Sequence, residues 1–139
     1  MIVPFADLAS LHRSIRHELD VAINAVIDKN SFVSGPQVKG FEEAFADYSQ
    51  VTHAVGCSSG TSALHLALLA CGVKAGDEVI LPSHTFIATA EAVSHIGAVP
   101  VFIDIDENTF NIDPEKIEQS VTDRTSAIIA VHLYGQCAN

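Results

Sequence analysis

Cys57-Ser58-Ser59-Gly60-Thr61-Ser62 lies between a short apolar stretch and a longer one of helical length, and its residue types suit an anion site. At a strand-to-helix junction the first backbone N–H groups of the helix have no partner inside it, and their dipoles favour negative charge. Gly60 allows close approach to the backbone, and the Ser59 and Thr61 hydroxyls add donors, so a phosphate matches the junction. The same residue types also serve simply as helix caps. No Lys follows Gly60, so the Walker pattern fails, and the glycine spacing does not fit the dinucleotide fingerprint.

A rival chemistry uses the same residues. Gly56-Cys57-Ser58-Ser59-Gly60 fits Gly-x-Ser-x-Gly, the nucleophile elbow of serine hydrolases, with Asp104 and His132 following Ser58 in a workable order. Against it, an elbow strand is central, and only helical patterns precede this one. Phe86, in Pro82-Ser83-His84-Thr85-Phe86, either stacks on a flat heterocycle at the pocket mouth or is a core aromatic at a helix start. Asp104-Ile105-Asp106-Glu107-Asn108-Thr109 with Glu115 imitates a calcium loop, but Thr109 stands where the sharp turn needs Gly and Asn111 where an apolar residue belongs. Its carboxylates are expected to form a solvated strand end, and no metal site is expected.

The elements that must position these residues begin with an amphipathic helix over 8–27, with Leu11, Ile15, Leu19 and Ile23 at helical spacing. Ser34-Gly35-Pro36 is a turn into a second helix carrying Val38, Phe41, Phe45 and Tyr48. After residue 50 the pattern alternates. Strands are predicted over 53–57, 78–81, 99–104 and 127–131, with helices over 62–71, 85–96 and 115–121, the first two closed by Gly72 and Gly97. Asp113-Pro114 reads as N-cap and first helical residue of the third. Strands joined by helices of this length lie parallel, which predicts an α/β fold, a three-layer α/β/α arrangement around a mostly parallel sheet. Ligands of such sheets bind beyond the strand C-termini, where residues 57–62, 82–86, 104–109 and 132–136 fall. The domain expectation is therefore a helical segment over 1–50 followed by alternating units over 51–139. Because the sequence stops straight after a strand and its loop, roughly as much domain again is expected beyond Asn139.

Composition limits the partners. Hydrophobic residues make up 48% and charged residues 17% of the 139 residues, as in strands buried on both faces. A formal charge of −10 with 7 Lys plus Arg leaves no basic stripe for nucleic acid. The opening Met1-Ile2-Val3-Pro4-Phe5-Ala6-Asp7 carries no secretory signal pattern, and the nearly apolar stretch over 63–73 is shorter than the ~20 residues of a membrane span. A cytoplasmic protein with no membrane partner is expected. Cys57, Cys71 and Cys137 form no Cys-x-x-Cys pair and are expected to be reduced, and the seven histidines make no metal motif.

Five motifs in register carry a family resemblance over nearly the whole chain: Phe32-Val33-Ser34-Gly35-Pro36, Ser58-Ser59-Gly60-Thr61-Ser62-Ala63-Leu64, Gly76-Asp77-Glu78-Val79-Ile80-Leu81-Pro82-Ser83-His84-Thr85-Phe86, Asp104-Ile105-Asp106 with Asn111-Ile112-Asp113, and Val131-His132-Leu133-Tyr134-Gly135-Gln136. Together they resemble the DegT/DnrJ/EryC/StrS sugar aminotransferases.

The resemblance implies the N-terminal part of the cofactor-binding large domain of a fold-type I, aspartate-aminotransferase-like enzyme, with pyridoxal 5'-phosphate as cofactor. Ser59, Gly60 and Thr61 would hold the phosphate, with Ser59 departing from the family's usual residue, and Phe86 would cover the pyridine ring. The implied partners are a nucleotide-linked keto-sugar and an amino-acid donor, usually glutamate, in polysaccharide or amino-sugar biosynthesis, and the implied assembly is a homodimer. Phe5, Asp7 and Phe32 resemble segments that approach the substrate, although a packed arm and a helix-connecting turn explain them equally well. The lysine and the aspartate that drive the chemistry are implied to lie beyond Asn139, since none of Lys29, Lys39, Lys74 or Lys116 matches. The fragment alone would then be inactive. A serine hydrolase using Ser58 and a non-catalytic regulatory relative remain the alternatives.

Overall fold

The helical periodicity of the N-terminal segment becomes three helices, α1 (Leu8–Ser14), α2 (Arg16–Asp28) and α3 (Pro36–Tyr48). A computed structural model describes residues 5–139; Met1 to Pro4, part of the stretch read above for a leader and an N-terminal arm, lie outside the described residues. The chain divides into two units, Met1–Gly56 and Cys57–Asn139.

In the first unit, the single helix expected over 8–27 breaks at Ile15, whose ψ of 13° closes α1 before α2 starts. Ser14 Oγ donates to the Leu11 carbonyl at 2.7 Å, a back-bond of the kind that bends helices. Gly35 caps α3 and Pro36 takes its first position, as the turn predicted. Phe41, Phe45 and Tyr48 stack in sequence along α3, with ring centroids 5.6 and 6.4 Å apart. The strand expected over 53–57 does not form. Gly56 N–H donates to Glu42 Oε1 at 2.7 Å, so a side chain of α3 takes the donor that a sheet ladder would have used.

The second unit holds α4 (Gly60–Ala70), β1 (Glu78–Pro82), α5 (Ala88–His95), β2 (Val99–Ile103) and β3 (Thr125–Ile128). Strand β1 is central and parallel to both neighbours, in the order β2-β1-β3, as the alternating pattern predicts for an α/β fold. Its register pairs Glu78 with Val99 through Pro82 with Ile103 on one side, and Val79 with Ala127 on the other. Every residue of β1 is buried, whereas β2 is exposed or half-buried up to the buried Ile103 and β3 alternates between partial burial and exposure. The side-chain period of two divides β1 between two clusters. Val79 and Leu81 pack with Leu68 of α4 and with Ala90, Ala92 and Val93 of α5, and Ile80 packs with Ile103 and Ile112 on the opposite face.

In the second unit three further predicted elements change. The helix expected over 115–121 folds as two 3₁₀ turns, Pro114–Lys116 and Glu118–Ser120. The segment is too short to sustain an α-helix by propensity, and Ile117 is drawn to the Ile80 cluster. Strand β3 lies earlier than the predicted 127–131, because Glu78 N–H bonds to the Arg124 carbonyl and Ile129 N–H to the Ile80 carbonyl, both at 2.8 Å. Helix α5 begins at Ala88 and not at residue 85, which leaves Phe86 on a loop.

Two polar features hold the sheet's N-terminal end. Glu78 is 6% exposed, and its carboxylate accepts from Thr122 Oγ1 at 2.6 Å and from the Arg124 guanidinium. Removing one partner leaves a buried carboxylate under-satisfied. Arg124→Ala in the whole protein is expected to cost about 1–2 kcal/mol in urea unfolding, the pair being discounted because the guanidinium faces solvent. In the turn before β1, Asp77 accepts from Lys74 N–H at 2.8 Å. That bond, with a smaller contribution from Ser126, holds the Asp77 carboxyl below the usual carboxylate range. A depressed folded-state pKa contributes stability above the unfolded value near ~4 that is lost as pH falls through the folded value. Asp77→Asn is therefore expected to remove a component of acid sensitivity below about pH 4, read as a shallower acid limb of stability against pH.

Candidate functional site

Ser59 stands in extended conformation at the N-cap of α4, and its hydroxyl accepts from Ser62 N–H at 3.1 Å. The Ser59 carbonyl takes the next donor, Ala63 N–H, at 3.0 Å. The N–H groups of Gly60 and Thr61 then have no hydrogen-bond partner among the described residues, and neither has the Thr61 hydroxyl. Three donors thus remain at the positive end of an 11-residue helix. A Cβ built on Gly60 would meet nothing within 4 Å, so this residue faces open space.

The expectation for Ser59 changes in detail. Its hydroxyl is engaged inward as the cap, and it lies 3.1 Å from Ser62 Oγ, which is also 3.1 Å from Ser58 Oγ. Ser62, not singled out from the sequence, is the hub that locks Ser58 and Ser59. Its helical offset of three from the cap was the signal available. The donors left unpartnered at this helix end are therefore the backbone N–H groups of Gly60 and Thr61 and the Thr61 hydroxyl.

Phe86 lies in the loop between β1 and α5 and is 75% exposed, so the core-aromatic alternative does not hold. Its backbone is well tied: the Phe86 carbonyl accepts from Thr89 N–H, and Thr85 Oγ1 lies 3.1 Å from Thr89 Oγ1. In the first unit, Phe5 and Phe32 are exposed, while Asp7 caps α1 by accepting from Ser10 N–H at 3.0 Å. Its hydrogen bonds with the Ser10 hydroxyl and N–H hold the Asp7 carboxyl below its ordinary value.

The hydrolase constellation is not assembled. Ser58 contacts Ser62, His132 Nδ1 accepts from Ala138 N–H at 3.0 Å, and Asp104 accepts from Ile105 N–H and pairs with Lys116. None of the three bonds another, and Ser58 lacks the left-handed backbone of a strained elbow. The acidic loop is locally satisfied. Asp106 accepts from the Thr109 N–H and, with a smaller effect, the Asn108 N–H, which hold its carboxyl low, and Lys116 is held protonated by Asp113 and Asp104. A cavity of about 390 Å³ beside this loop is bordered by Asp106, Asp113 and Glu115, so its field disfavours a phosphate. Among the described residues, no helix is long and apolar enough to cross a membrane.

Known proteins are similar to this chain in sequence and in fold. The pleiotropic regulatory protein of Geobacillus stearothermophilus is 46% identical over 139 residues, all of this chain and 37% of that protein. The dTDP-3-amino-3,4,6-trideoxy-alpha-D-glucose transaminase of Streptomyces venezuelae is 47% identical, over 99% of this chain and 36% of its own length. NtdA from Bacillus subtilis, solved with bound cofactor PMP, superposes with a TM-score of 0.94 at 38% identity, covering 99% of this chain and 32% of that one. The chain thus spans little more than a third of the length of the curated relatives it matches. The family model described as the DegT/DnrJ/EryC1/StrS aminotransferase family matches residues 13–139. With the parallel α/β sheet and nearly the whole sequence in agreement, this chain belongs to the DegT/DnrJ/EryC1/StrS aminotransferase family.

Proposed function

We propose that the whole protein is a pyridoxal-phosphate-dependent aminotransferase that delivers an amino group, with glutamate as donor, to a nucleotide-linked keto-sugar. The observation that carries this reading is the set of unpartnered donors on Gly60 and Thr61 at the N-terminus of α4, in a chain of this family. They fit the cofactor's phosphate. A dianion complements the helix dipole, and the missing Cβ of Gly60 leaves room for close approach. When bound, pyridoxal phosphate supplies the electron sink for amino transfer.

The residues of this chain bind and orient. Gly60 and Thr61 N–H groups and Thr61 Oγ1 would hold the phosphate, Ser59 keeps that helix end open by capping it, and the exposed Phe86 would lie on the pyridine ring. The bound NtdA cofactor, PMP, is the aminated form of the same group, which supports this reading. Phe5 and Phe32, both exposed, are the residues of the first unit we assign to substrate. Asp7 is a weaker assignment because its carboxylate caps α1. None of Lys29, Lys39, Lys74 and Lys116 matches the family's reactive position, and we assign the reactive lysine to the portion of the enzyme outside this chain; Lys116 is bracketed by Asp113 and Asp104 and Lys39 pairs with Glu43. On this reading residues 1–139 are the N-terminal part of the cofactor-binding domain, the whole enzyme is a cytoplasmic homodimer, and the fragment alone has no transaminase activity.

A second reading, a non-catalytic regulatory relative, is favoured by one observation, the 46% identity to a protein named for pleiotropic regulation. The whole protein incubated with pyridoxal phosphate separates the two. A visible absorbance band altered by borohydride, with amino-sugar nucleotide formed from keto-sugar nucleotide and glutamate, supports the enzyme. Cofactor binding without turnover supports the regulator. Covalent labelling of Ser58 by a fluorophosphonate would overturn both in favour of the hydrolase.

A further inference from the structure

Three aromatic side chains from three different strand ends meet in the second unit. His84 follows β1, Phe110 follows β2 and Tyr134 follows β3. Their ring centroids are 6.2–6.3 Å apart pairwise, with the Tyr134 ring edge-on to both others. His84 Nε2 and the Tyr134 hydroxyl lie 3.3 Å apart and share a hydrogen bond across fifty residues of sequence.

Two of these residues adopt left-handed backbone. Phe110 has φ 59° and Tyr134 has φ 56°, a conformation that large side chains avoid because Cβ crowds the carbonyl. Such strain persists only where surrounding contacts over-determine it. Here the clamp is Asn111, 2% exposed, whose Oδ1 accepts from Leu133 N–H at 2.9 Å and whose Nδ2 donates to the Gln136 carbonyl at 3.2 Å. Asn111 thereby grips the turn on both sides of Tyr134 and aims its ring at His84.

The loop that receives this contact displays Phe86. Ser83 N–H bonds to the Ile103 carbonyl at 2.8 Å, His84 bonds to Tyr134, Thr85 to Thr89, and the Phe86 carbonyl to Thr89 N–H. Each residue of the loop from 83 to 86 is tied, yet the Phe86 ring stays 75% exposed. A loop in which every residue is tied, Ser83 and Phe86 by the backbone and His84 and Thr85 by their side chains, around one exposed flat ring is preorganised for a flat ligand.

We propose that His84 and Tyr134 are positioning residues, whose hydrogen bond ties the β1–α5 loop to the turn after β3 and sets Phe86 for the cofactor ring. This rests on the cofactor assignment above. A merely stabilising cluster would depend on ring packing, which Tyr134→Phe preserves. The latch depends on the hydroxyl.

The test uses the whole protein. In the cofactor-free state, amide hydrogen exchange over Thr85 to Thr89 is expected to quicken about three- to tenfold in Y134F and in H84A, with the urea midpoint of Y134F unchanged. Affinity for added pyridoxal phosphate is expected to fall by a similar factor of about three to ten in each. The double variant should be no weaker than the worse single one, and H84Q, which keeps a polar atom within reach of Tyr134, should recover part of the loss. Unchanged exchange in Y134F, or effects that add in the double variant, would overturn the proposal. Failure of the unaltered protein to bind pyridoxal phosphate would instead overturn the cofactor assignment, and the exchange measurement would still decide the latch.

Discussion

Leu81→Ala is expected to lower the unfolding free energy of the whole protein by about 3 kcal/mol, within the ~2–5 kcal/mol span of buried leucine truncations. Leu81 is fully buried on the central strand, paired with Phe102 of β2 and packed with the cluster that includes Leu68 and Val93. Its removal deletes transfer free energy and leaves a cavity that collapses poorly, because β1 is held by its pairing with β2 and by the helices packed on this face. Val99, on the neighbouring strand and 44% exposed, offers the contrast: Val99→Ala should cost less than about 1 kcal/mol. Urea midpoints of the two variants check the pair, and equal losses would mean that β1 is not the core of this unit.

Gly60→Asp is expected to weaken pyridoxal phosphate binding by at least about a hundredfold while leaving the fold intact. The side chain meets no atom of the chain within 4 Å of its Cβ, so the substitution costs no overlap. An acidic residue in a first helical turn is itself favourable, by roughly 0.3–1 kcal/mol. Against a phosphate held by the neighbouring N–H groups, a new carboxylate about 4 Å away opposes binding by about 4 kcal/mol at an effective dielectric of 20. Even with a third of that lost to solvent screening, the remainder is about a hundredfold in affinity. The opposite signs are diagnostic. Thermal stability of the cofactor-free protein should hold or rise, while titration with pyridoxal phosphate should fail at concentrations that saturate the unaltered protein. A variant that binds within about threefold of the original would remove the phosphate from the N-terminus of α4.

Much of this architecture was legible because local rules and packing agree. The Gly72 and Gly97 helix ends both take positive φ, 82° and 76°, as expected where a chain leaves a helix toward a strand. Asp113 caps the turn it was read to cap, accepting from Glu115 N–H. The apolar composition predicted strands buried on both faces, and β1 is such a strand, whereas β3 is only half-buried. Where local preference and tertiary demand diverged, tertiary demand prevailed. Residues 53–57 carry strand-like composition but their Gly56 donor goes to Glu42, and the short run after Pro114 tightens into 3₁₀ turns.

The same division runs through the candidate site. By itself the sequence determined that a polar Gly-containing junction precedes an apolar helix, and that an aromatic residue follows the strand predicted over 78–81. Those facts depend on neighbours along the chain, so spacing reveals them. Only the tertiary structure decided that the Ser59 hydroxyl turns inward to Ser62, leaving the Gly60 and Thr61 N–H groups as the donors. Only the tertiary structure separated Ser58, Asp104 and His132, by giving each a different partner. And only folding could bring His84, Phe110 and Tyr134 together, because no periodicity links loops that three parallel strands carry to one end of a sheet.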